Sequence, residues 1–207
     1  MVSLCWIACL STVAVSVDEP PASGTAGWPA EVGAAFPDLP VVALDGTQIS
    51  LATHRGRVLL VEPIGTSCKA CQAFSGGNEK GGIDGVAPQA DLTSIDGLLD
   101  RYAEVALTDD RLELVQVLLY GADGRSVPTA DEHAAWVDHF GVTGTVYRAD
   151  PATWGEGVRQ RIPGFWLVDH EGVLRFDAAG NRAPNQLYRE LLPAVDRLVA
   201  AVPEVSR

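Results

Sequence analysis

The stretch VLLVEPIGTSCKACQAF, residues 58 to 74, joins an aliphatic run to a pair of cysteines. Val58 to Val61 is a continuous apolar run of the kind that forms a strand in the middle of a sheet covered on both faces. Cys68 and Cys71 follow it, at the start of a segment that is able to form a helix. Glu62 raises a question, because burying a carboxylate is costly unless it has a partner or a task.

The whole chain has the composition of one globular domain with extensions. Its 207 residues suffice for one well-packed core, and the contents of 47% hydrophobic and 20% charged residues are ordinary. The formal net charge of -12 argues against nucleic acid or an anionic membrane surface as the main partner. The four cysteines are too few for a disulfide scaffold, and they are not spaced as a four-cysteine zinc site.

Residues 1 to 17 are predicted to be a signal or anchor segment. Residues 2 to 17 carry no charge and are mostly apolar, but the run is shorter than the ~20 residues of a membrane-spanning helix. Ala14-Val15-Ser16 suits signal cleavage, although no basic residue precedes the run. Lipidation at Cys9 and a buried first strand or helix are the alternatives. Residues 18 to 35 have the Pro/Gly/Ala composition of a linker. We therefore expect an exported protein, periplasmic or anchored facing the periplasm.

Residues 36 to 203 are predicted to form a single α/β domain. In chain order, the pattern predicts a hairpin within 36–56, the strand from 58, a short helix from 69, a helix capped by Asp91, a strand over 112–120, a helix capped by Thr129 and closed by Gly141, a strand within 145–150, a hairpin over 164–177, and a helix over 184–201 that Pro193 bends. This order is typical of one mixed sheet flanked by helices.

The strand order, with Cys-x-x-Cys at the end of the first core strand, resembles the thioredoxin superfamily, and within it the TlpA-like exported thiol-disulfide oxidoreductases. Residues 54 to 74 are similar to that family's first core strand and redox motif, residues 158 to 176 to its later cis-proline segment, and residues 36 to 51 to its N-terminal β-hairpin. Two features depart from the family. Ser67 replaces the usual aromatic before the first cysteine, and the glycine-rich residues 75 to 88 form an insertion that is either a lid or partner-contacting loop, or a plain solvated loop.

The two cysteines are predicted to be the redox-active pair. Disulfide exchange needs a thiolate and a second thiol that releases the mixed disulfide. At a helix N-terminus the dipole and the unpaired N–H groups stabilise a thiolate on Cys68, and Lys69 adds a cation. Cys71, one turn later, is then the resolving thiol. A metal pair or an inert disulfide is the alternative, but no second cysteine pair or suitably spaced histidine lies nearby in the sequence.

The resemblance also assigns a role to the carboxylate. Glu62 stands at the spacing at which thioredoxins keep a buried carboxylate beneath the disulfide. Desolvation raises the pKa of such a group, which lets it accept the proton of Cys71. The alternative is a glutamate at a strand end that reaches solvent, since the neighbouring Pro63 is able to end the strand early.

The family's cis-proline corresponds to Pro163, preceded by Ile162. The resemblance implies a cis bond there, with Pro163 against the disulfide and the preceding backbone free to pair with an extended substrate. Ile162, Ser67 and Lys69 are therefore the expected substrate-binding residues. The implied activity is disulfide exchange with protein cysteines and a partner redox protein, without a cofactor or metal.

Two other functions are weighed against this one. A copper-handling protein of the Sco type uses Cys-x-x-x-Cys with a distant histidine, whereas this chain has one residue fewer between its cysteines. A peroxiredoxin-type peroxidase has Pro-x-x-x-Thr-x-x-Cys, a spacing that Pro63, Thr66 and Cys68 do not meet.

Several histidines and tryptophans are predicted to have structural positions. His133 and His139 do not have the spacing of a metal pair on one helix face, and we expect both to be solvated or capping. Trp136, Trp154 and Trp166 are expected in the core or at its rim rather than around a cofactor.

Overall fold

The computed structural model describes residues 30–155 and 157–204. The predicted signal or anchor segment and residues 18–29 of the predicted linker lie outside this part. The last linker residues are attached to the domain, since the N–H of Gly33 donates to Leu174 at 2.8 Å and the N–H of Leu174 donates to Ala34 at 2.9 Å. Among the described residues, no helix is both long and apolar enough to cross a bilayer.

Seven strands of the described residues form one mixed sheet, as the sequence predicts. The strands are β1 Pro40–Val42, β2 Gln48–Ser50, β3 Val58–Gly65, β4 Leu112–Tyr120, β5 Thr145–Arg148, β6 Trp166–Val168 and β7 Leu174–Asp177. Their spatial order is β2-β1-β5-β4-β3-β6-β7. β3 and β5 run parallel to β4, and the remaining pairings are antiparallel. The two hairpins, β1–β2 and β6–β7, therefore form the edges, and β3 and β4 the centre.

Helices cover one face of this sheet. They are α1 Lys69–Phe74, α2 Gly77–Lys80, α3 Ile95–Tyr102, α4 Ala130–Phe140 and α5 Val195–Ala200. Side chains of a strand alternate between its faces, so Leu60, Glu62 and Ile64 point toward α1, α3, α4 and α5. Leu59 and Val61 point to the opposite face, which is covered by Phe36 and Leu39 and by the 3₁₀ turns Pro151–Trp154 and Val158–Arg161.

β3 continues through Pro63 to Gly65, so the proline does not end the strand. β6 pairs only with Leu59 to Val61, whereas β4 pairs along the whole of β3. Beyond Val61, the side of β3 that faces β6 has no partner strand to accept a backbone hydrogen bond. Pro63, which has no N–H, is therefore tolerated there.

Two helix predictions are corrected, and one short helix was not predicted. α3 begins after Ser94, whose hydroxyl accepts the N–H of Gly97, so Asp91 is not its cap. The predicted helix over 184–201 is instead a π turn at Leu187–Leu191, a 3₁₀ turn at Leu192–Ala194 and then α5. Pro193 lacks an N–H, which explains the irregular ladder around it. Within the glycine-rich insertion, Gly77–Lys80 forms one helical turn, set off from α1 by Gly76 at a φ of 95°.

Candidate active site

A disulfide between Cys68 and Cys71 lies at the start of α1. Cys68 is the N-cap residue, and its sulfur accepts the N–H of Cys71 at 3.2 Å. Cys68 is half-buried, whereas Cys71 is 0% exposed. Only the first sulfur is therefore open to a second molecule, and the helix N-terminus favours negative charge on that sulfur when the disulfide is reduced. The neighbouring Lys69 is exposed.

The loop before the disulfide is fixed to the ends of both central strands. The N–H of Cys68 donates to Gly65 at 3.0 Å, and the N–H of Thr66 donates to Tyr120 at 2.9 Å. A β-carbon built on Gly65 would lie 3.5 Å from that of Tyr120, so the two strand ends already touch. The half-buried Ser67 occupies the position before the first cysteine.

Glu62 is wholly buried, at 0% exposure. Burial raises its pKa from the ordinary 4.5 to about 8, although a hydrogen bond from Gln116 opposes the rise. Gln116 donates to Glu62 Oε2 at 2.7 Å, whereas Oε1 has no hydrogen-bond partner. The interpretation of Glu62 as a strand-end residue that reaches solvent is therefore wrong. It is a buried carboxyl group with one oxygen held and the other free.

Gln116 organises the polar groups beneath the disulfide. Its Nε2 donates both to Glu62 and to the hydroxyl of Ser75, at 2.7 Å each. Its Oε1 accepts the indole N–H of Trp136 at 3.1 Å. Because an indole N–H only donates, Trp136 fixes which end of the amide faces the carboxyl group. Ser75 completes the link to the disulfide, since its N–H donates to the carbonyl of Cys71 at 3.0 Å.

The sequence interpretation did not identify this role of Gln116. The available signal was a glutamine in the middle of LELVQVLLY, a strand that the sequence predicts to be buried. Its proximity to Glu62 follows from the parallel register of β3 and β4, in which Glu62 and Gln116 are direct partners. A sequence pattern does not contain that register.

The glycine-rich insertion is bound to the active-site helix through Gln72. This residue is 0% exposed, and its Nε2 donates to the carbonyl of Thr66 at 2.7 Å, just before the disulfide. The other end of the amide accepts the N–H of Ile83 at 3.1 Å. A β-carbon on Gly82 would lie 1.9 Å from the carbonyl oxygen of Val86, so only glycine fits at this close approach. The insertion is thus attached to the active-site helix through Gln72, while most of its residues from 78 to 88 are exposed.

The Ile162–Pro163 bond is cis, which confirms the prediction for it. Ile162 lines a cleft of about 220 Å³ together with Ser67 and Cys68, so the structure brings these predicted residues together. Pro163 is half-buried, and its carbonyl accepts the N–H of Gly180 at 2.9 Å. Contact of Pro163 with the two sulfurs, and its role toward substrate, stay predictions.

The expectation for His133 is wrong. It is 1% exposed, its Nε2 lies 2.9 Å from the carbonyl oxygen of Val146, and burial lowers its pKa from the ordinary 6.5. His139 is partly exposed, with its Nε2 2.9 Å from the carbonyl oxygen of Gly81. The predicted tryptophan positions are confirmed, since Trp136, Trp154 and Trp166 are all buried.

Of the comparisons with known proteins, the one with solved structures found similar architectures. The sequence matches no protein-family model and no curated protein. The structure is similar to that of a hypothetical protein from Sinorhizobium meliloti 1021, with a TM-score of 0.55 and 17% identity, over 85% of this chain and 89% of that chain.

Two other similar structures are named for redox proteins. One is a candidate thiol-disulfide oxidoreductase from Bacteroides vulgatus, with a TM-score of 0.52 and 18% identity, over 81% of this chain and 96% of that chain. The other is a candidate protein disulfide isomerase from Bacteroides thetaiotaomicron, with a TM-score of 0.51 and 15% identity, over 82% and 91%. At these identities the likeness shows the fold, which is thioredoxin-like as the sequence predicts.

Proposed function

We propose that this protein is a thiol-disulfide oxidoreductase that exchanges disulfides with protein cysteines through Cys68 and Cys71. The observation that carries the proposal is a disulfide at a helix start with one accessible sulfur and one wholly buried sulfur. This asymmetry separates the attacking thiol from the resolving thiol, which is what exchange through a mixed disulfide needs. The fold shared with proteins named as oxidoreductases supports it.

The exchange runs in two substitutions. In the reduced protein, the Cys68 thiolate attacks a sulfur of the substrate disulfide, a bond forms between these sulfurs, and the substrate's other sulfur leaves as a thiolate that takes a proton. Cys71 then loses its proton and attacks Cys68, which restores the Cys68–Cys71 disulfide and releases the second substrate thiolate. Two electrons pass to the substrate, and the reverse sequence oxidises a dithiol. The reduction potential relative to the surroundings sets the direction.

Glu62 is the proposed acceptor of the Cys71 proton. Its pKa of about 8 leaves both protonation states accessible near neutral pH, as a general base and acid requires. Oε1 is the oxygen able to take the proton, because Oε2 already accepts from Gln116. Gln116 acts as a positioning residue that holds the carboxyl group through the bond fixed by Trp136.

Trapping with single-cysteine variants tests the function. With Cys71→Ser, Cys68 still attacks but nothing resolves the product, so a mixed disulfide with substrate proteins accumulates after incubation with oxidised extracts of the native host. With Cys68→Ser, no adduct is expected, because Cys71 is buried. The adducts are separated by non-reducing electrophoresis and identified by mass spectrometry. Equal trapping by both variants, or by neither, contradicts the proposal.

The role of Glu62 is tested on the same reaction. Glu62→Gln keeps the size of the side chain and removes the acid, so adduct formation by Cys68 stays nearly unchanged while its resolution by Cys71 slows. Stopped-flow measurement with a disulfide-linked peptide separates these two steps. If neither rate changes, Glu62 has a structural role only.

We also propose that the protein is exported. The support is the uncharged apolar run of residues 2 to 17, followed by a linker-like composition. Mass spectrometry of protein from its native host is expected to show a mature form that begins beyond residue 16 or is lipidated at Cys9. An unmodified Met1 in a cytosolic fraction would contradict this.

A further inference from the structure

The accessible sulfur opens onto a cleft that continues into a larger groove. The cleft beside Cys68 is also lined by Tyr120, Arg159 and Ile162. Arg159 and Ile162 line a neighbouring groove of about 740 Å³ as well, so the two depressions share a wall. A polypeptide segment that leaves the reacting sulfur along this path passes Arg159 first.

The lining of this path is basic, although the chain is acidic. The groove contains Arg159, Arg161 and Arg182, and neither depression has an aspartate or glutamate among the described residues that line it. Arg161 is neutralised by Asp177, at 2.9 Å, whose side chain is 5% exposed. Arg159 and Arg182 are exposed, and no carboxylate of the described residues forms an ion pair with either of them. Within residues 30–155 and 157–204, two guanidinium groups without an ion-pair partner therefore face the groove of a protein with a net charge of -12.

The wall that carries Arg159 is held in place by close packing. The guanidinium carbon of Arg159 lies 5.3 Å from the centre of the Tyr120 ring, which positions the charge at the mouth of the cleft. A β-carbon on Gly180 would lie 2.1 Å from the carbonyl oxygen of Gln160, so the turn that carries Arg159 sits directly on the backbone near Gly180. A charge positioned in advance costs less to order when a partner binds.

We propose that this path binds an acidic, extended segment of a protein substrate, close to the cysteine that reacts with Cys68. The proposal rests on the proposed disulfide exchange and adds the chemistry of the substrate. Planar guanidinium groups pair with carboxylates through two parallel hydrogen bonds, so Arg159 and Arg182 would select aspartate or glutamate side chains. The acidic remainder of the surface disfavours acidic partners elsewhere on the molecule.

Equilibrium binding tests the site without any redox step. The oxidised protein is titrated into three fluorescent peptides of equal length whose reacting cysteine is replaced by serine, with flanks of aspartate and glutamate, of serine and glutamine, or of lysine. We expect the acidic peptide to bind most tightly, and Arg159→Gln and Arg182→Gln each to weaken its binding about two- to fivefold. The neutral peptide should bind the three proteins equally.

Arg197→Gln is the matched control. Arg197 is exposed on α5 and lines neither depression, and its loss changes the net charge by the same amount. It should leave binding of the acidic peptide unchanged. If Arg197→Gln weakens that binding as much as Arg159→Gln does, only the overall charge matters and the site is wrong. Equal affinity of the unsubstituted protein for acidic and neutral peptides also overturns the proposal.

A kinetic measurement separates failure of the site from failure of the function. The reduced protein is mixed with disulfide-linked versions of the same peptides. Reaction with acidic and neutral peptides at the same rate, with Cys68 adducts in both cases, leaves disulfide exchange intact and refutes the substrate preference. Selective binding of the acidic peptide without any exchange refutes the oxidoreductase function and leaves the acidic-segment site.

Discussion

The buried carboxyl group should make the stability of the oxidised protein fall as the pH rises. In the unfolded chain Glu62 ionises near its ordinary pKa of 4.5, whereas in the folded protein burial holds its pKa at about 8. Between these two values the folded state retains a proton that the unfolded state has lost. The free energy of unfolding therefore decreases with rising pH across this window and levels off above about pH 8.

The size of this effect follows from the two pKa values. Each pH unit of the window from 4.5 to about 8 costs about 1.4 kcal/mol, so ionisation of this one group removes about 5 kcal/mol of stability. This is a large part of the ~5–15 kcal/mol that stabilises a typical domain. Solvent screening reduces this loss of stability very little, because Glu62 is 0% exposed.

Glu62→Gln removes this loss. The variant should differ little from the unsubstituted protein at pH 5 and should be more stable by several kcal/mol at pH 9, because an amide does not ionise. Urea denaturation at intervals from pH 4.5 to 9.5 measures the difference between the two proteins, in which all other titrating groups cancel. The oxidised form is used because the disulfide cysteines Cys68 and Cys71 do not titrate.

Parallel stability curves for the two proteins would refute the reasoning. They would mean that Glu62 ionises in the folded protein near its ordinary pKa, with Gln116 and its neighbours compensating the charge. If the variant is also less stable by the same amount at every pH, the curves are still parallel, and the offset shows in addition that the hydrogen bond at Oε2 needs a carboxyl group.

Three further predictions concern other buried polar groups. Gln116→Leu removes the hydrogen bond that lowers the pKa of Glu62. The pH profile of the rate at which Cys71 resolves the mixed disulfide should therefore move to higher pH in single-turnover measurements, and Trp136→Phe should move it less. Burial acts to raise the pKa of Glu113, but hydrogen bonds with His54 and Thr145 and the charge of Arg57 lower it to about 2. Glu113→Gln should therefore cost up to about 3 kcal/mol at pH 7, and this difference should disappear as the pH falls from 4.5 to about 2 in urea titrations. His133 has its pKa lowered below 6.5 by burial, so stability should fall as the pH falls below 6.5, and His133→Gln should flatten that part of a thermal-denaturation profile.

The sequence by itself determined the elements whose signals are local. The apolar run of β4 has its predicted bounds, and α4 begins after Thr129 and ends before Gly141 as its capping residues indicate. The cysteine pair at the start of a helix is likewise a short-range pattern. The predicted start of α3 was wrong because two possible N-cap residues, Asp91 and Ser94, lie a few residues apart. The predicted last helix was wrong because Pro193 interrupts its hydrogen-bond ladder.

Only the tertiary structure decided what surrounds the cysteines. Gln116 meets Glu62 because β3 and β4 are parallel in one particular register, and the two residues are far apart in the chain. The burial of His133 and the tethering of the insertion by Gln72 also depend on contacts between distant segments. Arg159 and Arg182 come together with Cys68 along one path for the same reason. Such contacts have no local signature, because they are set by how separate elements pack once the core excludes water.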